Sequence, residues 1–279
     1  MPLNRELMDN PRATRVKHIT ELASRKGRKR ARLFLVEGPQ AVREAIGYAA
    51  NSVRDVYVDE NWRQSRVLRD IVNSAMDSEL YVHEATSAVM DTLSQDCQGI
   101  CAVVQTEAVL SEVADLDIAD SSLIAACWQL RDPGNAGTII RAADASGCAA
   151  VVLVDECVDV TNPKVVRSTA GSLFHVPIAS MTEEDFFAWS RSQNALMTAA
   201  DVYGTDKTPV TNLQEALATT DFQRMQIVLF GNEARGLTPE LIDSTDRAVA
   251  IPLYGNAESL NVAISASIML YAFALRAHE

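Results

Sequence analysis

Three short polar segments in the second half of this 279-residue chain hold the side chains best suited to chemistry. They read Asn135-Ala-Gly-Thr-Ile-Ile-Arg141, Phe230-Gly-Asn-Glu-Ala-Arg-Gly236 and Ile251-Pro-Leu-Tyr-Gly-Asn-Ala-Glu-Ser-Leu-Asn261. Two sit just after an apolar, strand-like run; the first follows such a run and opens a helix-like one. Polar groups at the carboxyl ends of strands are where an α/β sheet binds its ligand. Thr138 and Arg141 lie one helical turn apart and share a face. The residues around Arg141 are small (Ala142, Ala143, Ala145), which lets a ligand come close. A fixed guanidinium there can stabilise negative charge growing on oxygen. A guanidinium is a poor proton acceptor, its pKa lying above ~12. The plainer local reading is a capped helix carrying an exposed arginine, with Asn135 at the N-cap and Gly147 at the stop. Gly231 lets backbone approach a ligand at a strand end. Thr238-Pro239 reads as N-cap and first helical residue. Ser259 is an ordinary N-cap candidate, whereas Asn261 opens an otherwise apolar helix and needs a hydrogen-bond partner.

Other chemistries find little support. No Gly-x-Gly-x-x-Gly follows a strand and no phosphate-loop lysine motif occurs, so a nicotinamide or nucleoside-triphosphate cofactor has no cradle. Four scattered histidines and five cysteines without a Cys-x-x-Cys give no metal site. Cys97 and Cys101 are the closest pair, and buried free thiols in a reducing cytoplasm are the expectation. The run from Ser259 to Ala277 is broken by Asn261, Ser265, Ser267 and Arg276, so no membrane span is expected. The N-terminus lacks the apolar core of a signal peptide.

The elements that must position these residues fall into two series. Hydrophobic residues make up 48% and charged residues 22%, an ordinary globular balance, and the length suits one large or two medium domains. A first α/β series has strand-like runs at 33–36, 53–58, near 80–82 and at 99–105, with helices over 39–50, near 62–76 and near 87–93. An acidic stretch without a basic residue, 107–120, reads as a linker. The second series has strands at 123–127, 150–154, 195–199, 226–230 and 248–253. Helices are expected around 138–146, 163–170, 183–193, 213–218, 239–243 and 260–277. Continuously apolar strands alternating with helices indicate a parallel sheet covered on both faces. The expected domains are 1–107, a linker at 108–120, and 121–279. Residues 1–32 carry ten Lys/Arg against three acids, a net +7, in a chain of net charge −12. A basic head on an acidic body suits focused contact with one nucleic-acid site, though a solvated basic helix with no partner fits the charge equally well. Lys164 and Arg167 share a helical face that could grip phosphate.

In order and spacing, the three polar segments resemble those of the SpoU (TrmH-like) family of RNA ribose 2′-O-methyltransferases, within the SPOUT superfamily. The likeness is specific over 122–279 and looser before it. The resemblance implies an α/β fold: a C-terminal SPOUT domain with a mostly parallel sheet, helices on both faces and a deep trefoil knot, preceded by a small α/β RNA-binding domain. It implies S-adenosylmethionine as cofactor, held around Phe230, Gly231, Ile251, Leu253 and Leu260. Catalytic positions would be Arg141, with Asn135 beside it, Glu233 at the active site, and Ser259 and Asn261 as a polar wall facing Arg141. Phe34-Leu-Val-Glu-Gly-Pro-Gln-Ala-Val-Arg43 resembles the family's substrate-binding domain. It further implies a cytoplasmic homodimer through the C-terminal domain, with each site completed near the subunit interface. Structured RNA is the implied partner, ribosomal favoured over transfer RNA. A transfer-RNA enzyme, or a non-catalytic RNA-binding protein on the same fold, are the alternatives.

Overall fold

The computed structural model describes residues 3–113, 116 and 118–278. Two compact units emerge: the chain up to Val109 together with Asp159–His175, and Leu110–Val158 together with Val176 onward.

The first unit is a five-stranded mixed sheet. Its strands are β1 (Leu3–Met8), β2 (Leu33–Glu37), β3 (Val53–Asp59), β4 (Val82–Ala85) and β5 (Ile100–Gln105), in the order β1-β4-β3-β5-β2. β5 runs antiparallel to both its neighbours; the other pairs are parallel. Period-two burial sends Leu35, Tyr57 and Val103 to one face, where they meet Val16 and Ile19 of α1 (Thr14–Thr20) and Val89, Met90 and Leu93 of α5 (Ser87–Leu93). α3 (Pro39–Ala49) and α4 (Arg66–Asp77) each bury a stripe at helical spacing, Ala41, Val42, Ala45 and Ile46 in one, Leu68, Ile71, Val72 and Ala75 in the other. Both pack on β3, and α3 also on β5 and β2.

The basic head is more structural than its composition suggests. α2 (Arg25–Ala31) starts at Ser24, whose hydroxyl accepts the Gly27 amide at 3.0 Å. A Cβ on Gly27 would lie 2.0 Å from the Glu21 carbonyl oxygen, so only glycine lets α2 close on the turn before it. Arg28, one of the ten leader cations, is buried rather than offered to a partner: it is 3% exposed. Its guanidinium donates to Asp159 at 2.7 and 3.2 Å, to Thr161 at 3.1 Å, and to the carbonyls of Leu22 and Ala23 at 3.0 Å each. These bonds seat Asp159–His175, including α7 (Pro163–Ser168), in the first unit. Arg167, whose helical face could grip phosphate or simply be solvated on sequence grounds, is held by Glu37 at 2.6 Å and Asp96 at 2.9 Å.

The second unit is a seven-stranded, wholly parallel sheet. Its strands are β6 (Leu123–Trp128), β7 (Ala150–Val154), β8 (Ile178–Met181), β9 (Leu196–Ala200), β10 (Val210–Asn212), β11 (Gln226–Phe230) and β12 (Arg247–Ala250), in the order β10-β12-β9-β11-β6-β7-β8. α8 (Glu183–Ser192) and α10 (Pro239–Ile242) cover one face, burying Phe186, Leu241 and Ile242 against Ile124, Ala126, Ile227 and Leu229. α6 (Pro133–Ala145) and α11 (Val262–Ala277) pack against each other and on β6. α9 (Leu213–Ala218) lies beside β10, β12 and α11. Each fully buried aliphatic side chain contributes about 1.5–3 kcal/mol. β1, β8, β10, α1 and α2 were not anticipated from the sequence. α6 begins five residues earlier than its apolar pattern implies, and β12 ends at Ala250, leaving Ile251–Leu253 as loop.

Replacing Arg28 by Met strands the Asp159 carboxylate and two carbonyls. Urea unfolding of the full chain should show the first unit losing about 3–5 kcal/mol. A loss under about 1 kcal/mol, the worth of a surface pair, would contradict this role.

Candidate active site

In a parallel sheet every strand ends on the same edge. Here the loops after β9, β11 and β12 enclose a cavity of about 350 Å³. Phe230, Gly231, Ile251, Leu253 and Leu260, the five residues expected at a cofactor, all line it, as do Glu233 and Ser259. Gly231 has no room for a side chain: a Cβ would lie 2.4 Å from the Gly236 carbonyl carbon. That closeness comes from a tight loop in which Asn232 and Gly236 exchange backbone bonds at 3.2 and 2.8 Å. The glycine thus serves the loop's own closure before any ligand's approach. Buried Asn232 fixes the loop further, donating to the Gln129 carbonyl at 2.8 Å and accepting the amides of Ala234 and Arg235.

A chain of side-chain bonds ties the three polar segments together. The Glu233 carboxylate accepts the amide of Asp132 at 2.8 Å and that of Arg131 at 3.1 Å, at the entry to α6. Asn135 donates to the same carboxylate at 3.4 Å. Asn261 donates through Nδ2 to Oδ1 of Asn135 at 3.0 Å. Burial raises the Glu233 carboxyl, but the backbone amides and Asn135 outweigh it and hold the pKa below the ordinary glutamate value. Glu233 is therefore an ionised acceptor, poorly suited to carry a proton.

Two caps differ from expectation. α6 is capped by Asp132, which accepts the Asn135 amide at 2.8 Å, so Asn135 sits inside the first turn with its side chain free for Asn261. α11 is capped by Asn261, not Ser259; its Oδ1 accepts the amides of Ala263 and Ile264. One asparagine thus caps a helix with its oxygen and links two motifs with its nitrogen.

Arg141 stands apart. It is exposed on α6, does not line the cavity, and makes no hydrogen bond or ion pair among the described residues. No bond joins it to Ser259 or Asn261 in the described chain. The loop after β9 brings residues that the motifs did not flag: Asp201 and Tyr203 line the cavity, and Asp201 accepts the amides of Tyr203 and Gly204 at 2.8 Å each. Their signal was positional, an Asp-x-Tyr-Gly just past an apolar strand on the ligand-binding edge. Among the charged side chains of the lining, Asp201, Glu233 and Glu258 face only Arg235, itself bonded to Gln129 at 2.7 Å and 5.7 Å from the Trp128 ring centre. A carboxylate-rich cavity fits a cofactor carrying net positive charge, as S-adenosylmethionine does with its sulfonium and ammonium.

The lowered pKa of Glu233 fixes the sign of its pH dependence. A depressed folded-state pKa contributes stability above the unfolded value, about 4.3, and that contribution is lost as pH falls through the folded value. The melting-temperature gap between wild type and Glu233→Gln should persist from pH 7 down to the unfolded glutamate value and shrink as pH falls further, through the lowered folded-state value. A gap unchanged at the acid end would show that the carboxylate charge is not what holds the loop.

Comparison with known proteins agrees with this geometry. Residues 122–271 match the SpoU rRNA methylase family, and residues 13–102 match an MRM3-like substrate-binding domain. The 23S rRNA (guanosine(2553)-2′-O)-methyltransferase RlmP of Bacillus subtilis is 31% identical over 264 residues, covering 95% of this chain and 97% of that protein. The AdoMet-bound rRNA methyltransferase from Sinorhizobium meliloti superposes with a TM-score of 0.82 at 28% identity, covering 98% of each chain. The SpoU methyltransferase AviRb from Streptomyces viridochromogenes, in complex with AdoMet, gives 0.78 at 26% identity, covering 95% of this chain and 98% of that one. The chain is a member of the SpoU rRNA methylase family.

Proposed function

We propose that this enzyme methylates a ribose 2′-hydroxyl of ribosomal RNA with S-adenosylmethionine as donor. The observation that carries the reading is the Asn261–Asn135–Glu233 chain, which joins the three motif segments beside a cavity suited to that cofactor. When bound, S-adenosylmethionine supplies an electrophilic methyl group. The loops around Gly231, Ile251, Leu253 and Leu260 would hold it, with Phe230 beneath. Arg141, exposed and without a hydrogen bond or ion pair among the described residues, would stabilise the charge that grows on the ribose oxygen as its proton leaves. Asn135, Glu233 and Asn261 position the loops, and Ser259 offers a hydroxyl to the cavity.

The first unit is the RNA-binding part in this reading. Arg12, Lys17, Arg25, Lys26 and Lys29 are exposed, and their side chains have no hydrogen bond or ion pair among the described residues. Such cations bind phosphates by releasing counterions. A ribosomal substrate places the work in the cytoplasm, in keeping with free thiols at Cys97, Cys101, Cys127, Cys148 and Cys157.

A homodimer also belongs to this reading. α11 exposes Ile264, Ile268, Tyr271 and Leu275, at spacings of four, three and four residues, as one apolar stripe. Such a stripe on a helix suits a second copy. An active site completed near the subunit interface would explain why Arg141 does not line the cavity of its own chain. The segments after β11 and β12 are the ones expected to thread the trefoil knot.

Arg141→Ala should lower methyl transfer to unmodified ribosomal RNA by about 10²–10³-fold, with S-adenosylhomocysteine affinity unchanged. Near-normal turnover would remove Arg141 from the mechanism, and methyl label in transfer RNA alone would move the substrate. Ile268→Glu with Leu275→Glu should convert a dimer to a monomer in light scattering and abolish turnover. A monomeric wild type would overturn the shared site.

A further inference from the structure

The first unit contains a cavity of about 890 Å³, larger than the one at the active-site edge. Leu33, Tyr57 and Val103 of the sheet form one wall, and residues of α1 and α2, including His18 and Arg30, the other. Tyr81 and Arg54 lie at its margin, the tyrosine 63% exposed.

The walls are preorganised. Arg15 donates from Nε to the Tyr57 hydroxyl at 2.8 Å and pairs through Nη2 with Asp55 at 2.7 Å. His83 reaches the same Asp55 oxygen at 2.9 Å, and its ring stacks on Tyr57 with centroids 5.1 Å apart. Burial, and then the Asp55 charge, push the Tyr57 hydroxyl up to about 12 against the opposing pull of Arg15, so it keeps its proton. Arg30 is paired with Glu21, and Arg54 lies 3.9 Å from Asp55. Three guanidiniums therefore line the cavity against two carboxylates, leaving positive charge in excess.

An exposed aromatic face beside a guanidinium matches one ligand chemistry: a flat ring with an attached phosphate. A volume of this size accommodates such a group. A stacked duplex cannot enter a concave site, whereas loops and bulges splay single bases that proteins seat on aromatic rings.

We propose that this cavity seats one unstacked nucleotide of the RNA substrate, its base against Tyr81 and its phosphate toward Arg54. The inference rests on the RNA-modifying function proposed above and names where its substrate is read.

The test uses the full-length chain and a fluorescently labelled, unmodified transcript of large-subunit ribosomal RNA. Tyr81→Ala should weaken binding by about tenfold while Tyr81→Phe stays near wild type, since stacking needs the ring and not the hydroxyl. Arg54→Ala should weaken binding and lower the salt slope by about one unit, which Tyr81→Ala should leave unchanged. Both side chains are exposed, so neither variant threatens the fold. Wild-type affinity in Tyr81→Ala, or equal loss in Tyr81→Phe, overturns the proposal. So does a cavity that binds adenosine monophosphate through Tyr81 without any change in RNA affinity, which would assign it to a free nucleotide. Methyl transfer to the same transcript separates the two readings. Binding that depends on Tyr81 without any transfer sinks the enzyme reading and keeps the subsite. Transfer whose RNA KM ignores Tyr81→Ala does the reverse.

Discussion

One carboxylate holds together the strand edge that bears the cavity. Glu233, at the end of β11, takes the amides of Arg131 and Asp132 just where the chain enters α6. Those amides have no partner within the helix, and a helix entry favours negative charge. Through Asn135 the same carboxylate is linked to Asn261, which in turn fixes the start of α11. Three loops from three strands are thus held by groups that leave few alternatives: an ionised acceptor on backbone donors, and two amides whose donors and acceptors are all directed. Loose loops on a strand edge would make an ill-defined cavity. This arrangement leaves Arg141 the unengaged cation of α6 among the described residues, as its proposed role of meeting charge that arises only during reaction would require.

Electrostatics divide the molecule by task. The second unit lines its cavity with carboxylates, suited to a cationic cofactor. The first unit presents unpaired lysines and arginines, suited to a polyanion. Yet several cations of the basic head are spent internally: Arg15 on Asp55, Arg28 on Asp159, Arg30 on Glu21 and Arg32 on Glu107. Net charge overstates what is offered to RNA, and position within α1 and α2 decides which cations remain free.

Much of this was legible in the sequence where one physical requirement dominates. Gln226–Phe230 and Ala150–Val154 are apolar throughout because both faces of a parallel sheet are covered, and they fold as read. Gly231 was legible from its type and its place just past such a strand, whereas Phe230, Ile251, Leu253 and Leu260 came from the family resemblance; all five line the cavity. Where two local solutions compete, tertiary contact chose. Asn135 and Ser259 are good caps by type, but Asp132 and Asn261 cap instead because the Asn135 side chain is drawn to Asn261 and Glu233. Short strands such as Ile178–Met181 and Val210–Asn212 hold too few residues to show a period. The seating of Asp159–His175 in the first unit depends on Arg28, some 130 residues away, and no window of sequence contains both. Asp201 and Tyr203 escaped notice because only the strand order, with β9 between β12 and β11, brings their loop to the cavity.

The proposed active site requires the three motif segments to act as one hydrogen-bonded assembly in methyl transfer. Its most direct test is a double-mutant cycle on kcat for ribosomal RNA with Asn135→Ala and Asn261→Asp, the aspartate keeping the α11 cap but losing the donor to Asn135. Strong coupling is expected, with the double variant hardly slower than the slower single one. Independent, multiplicative losses would show that the Asn261–Asn135 bond is not what joins the site.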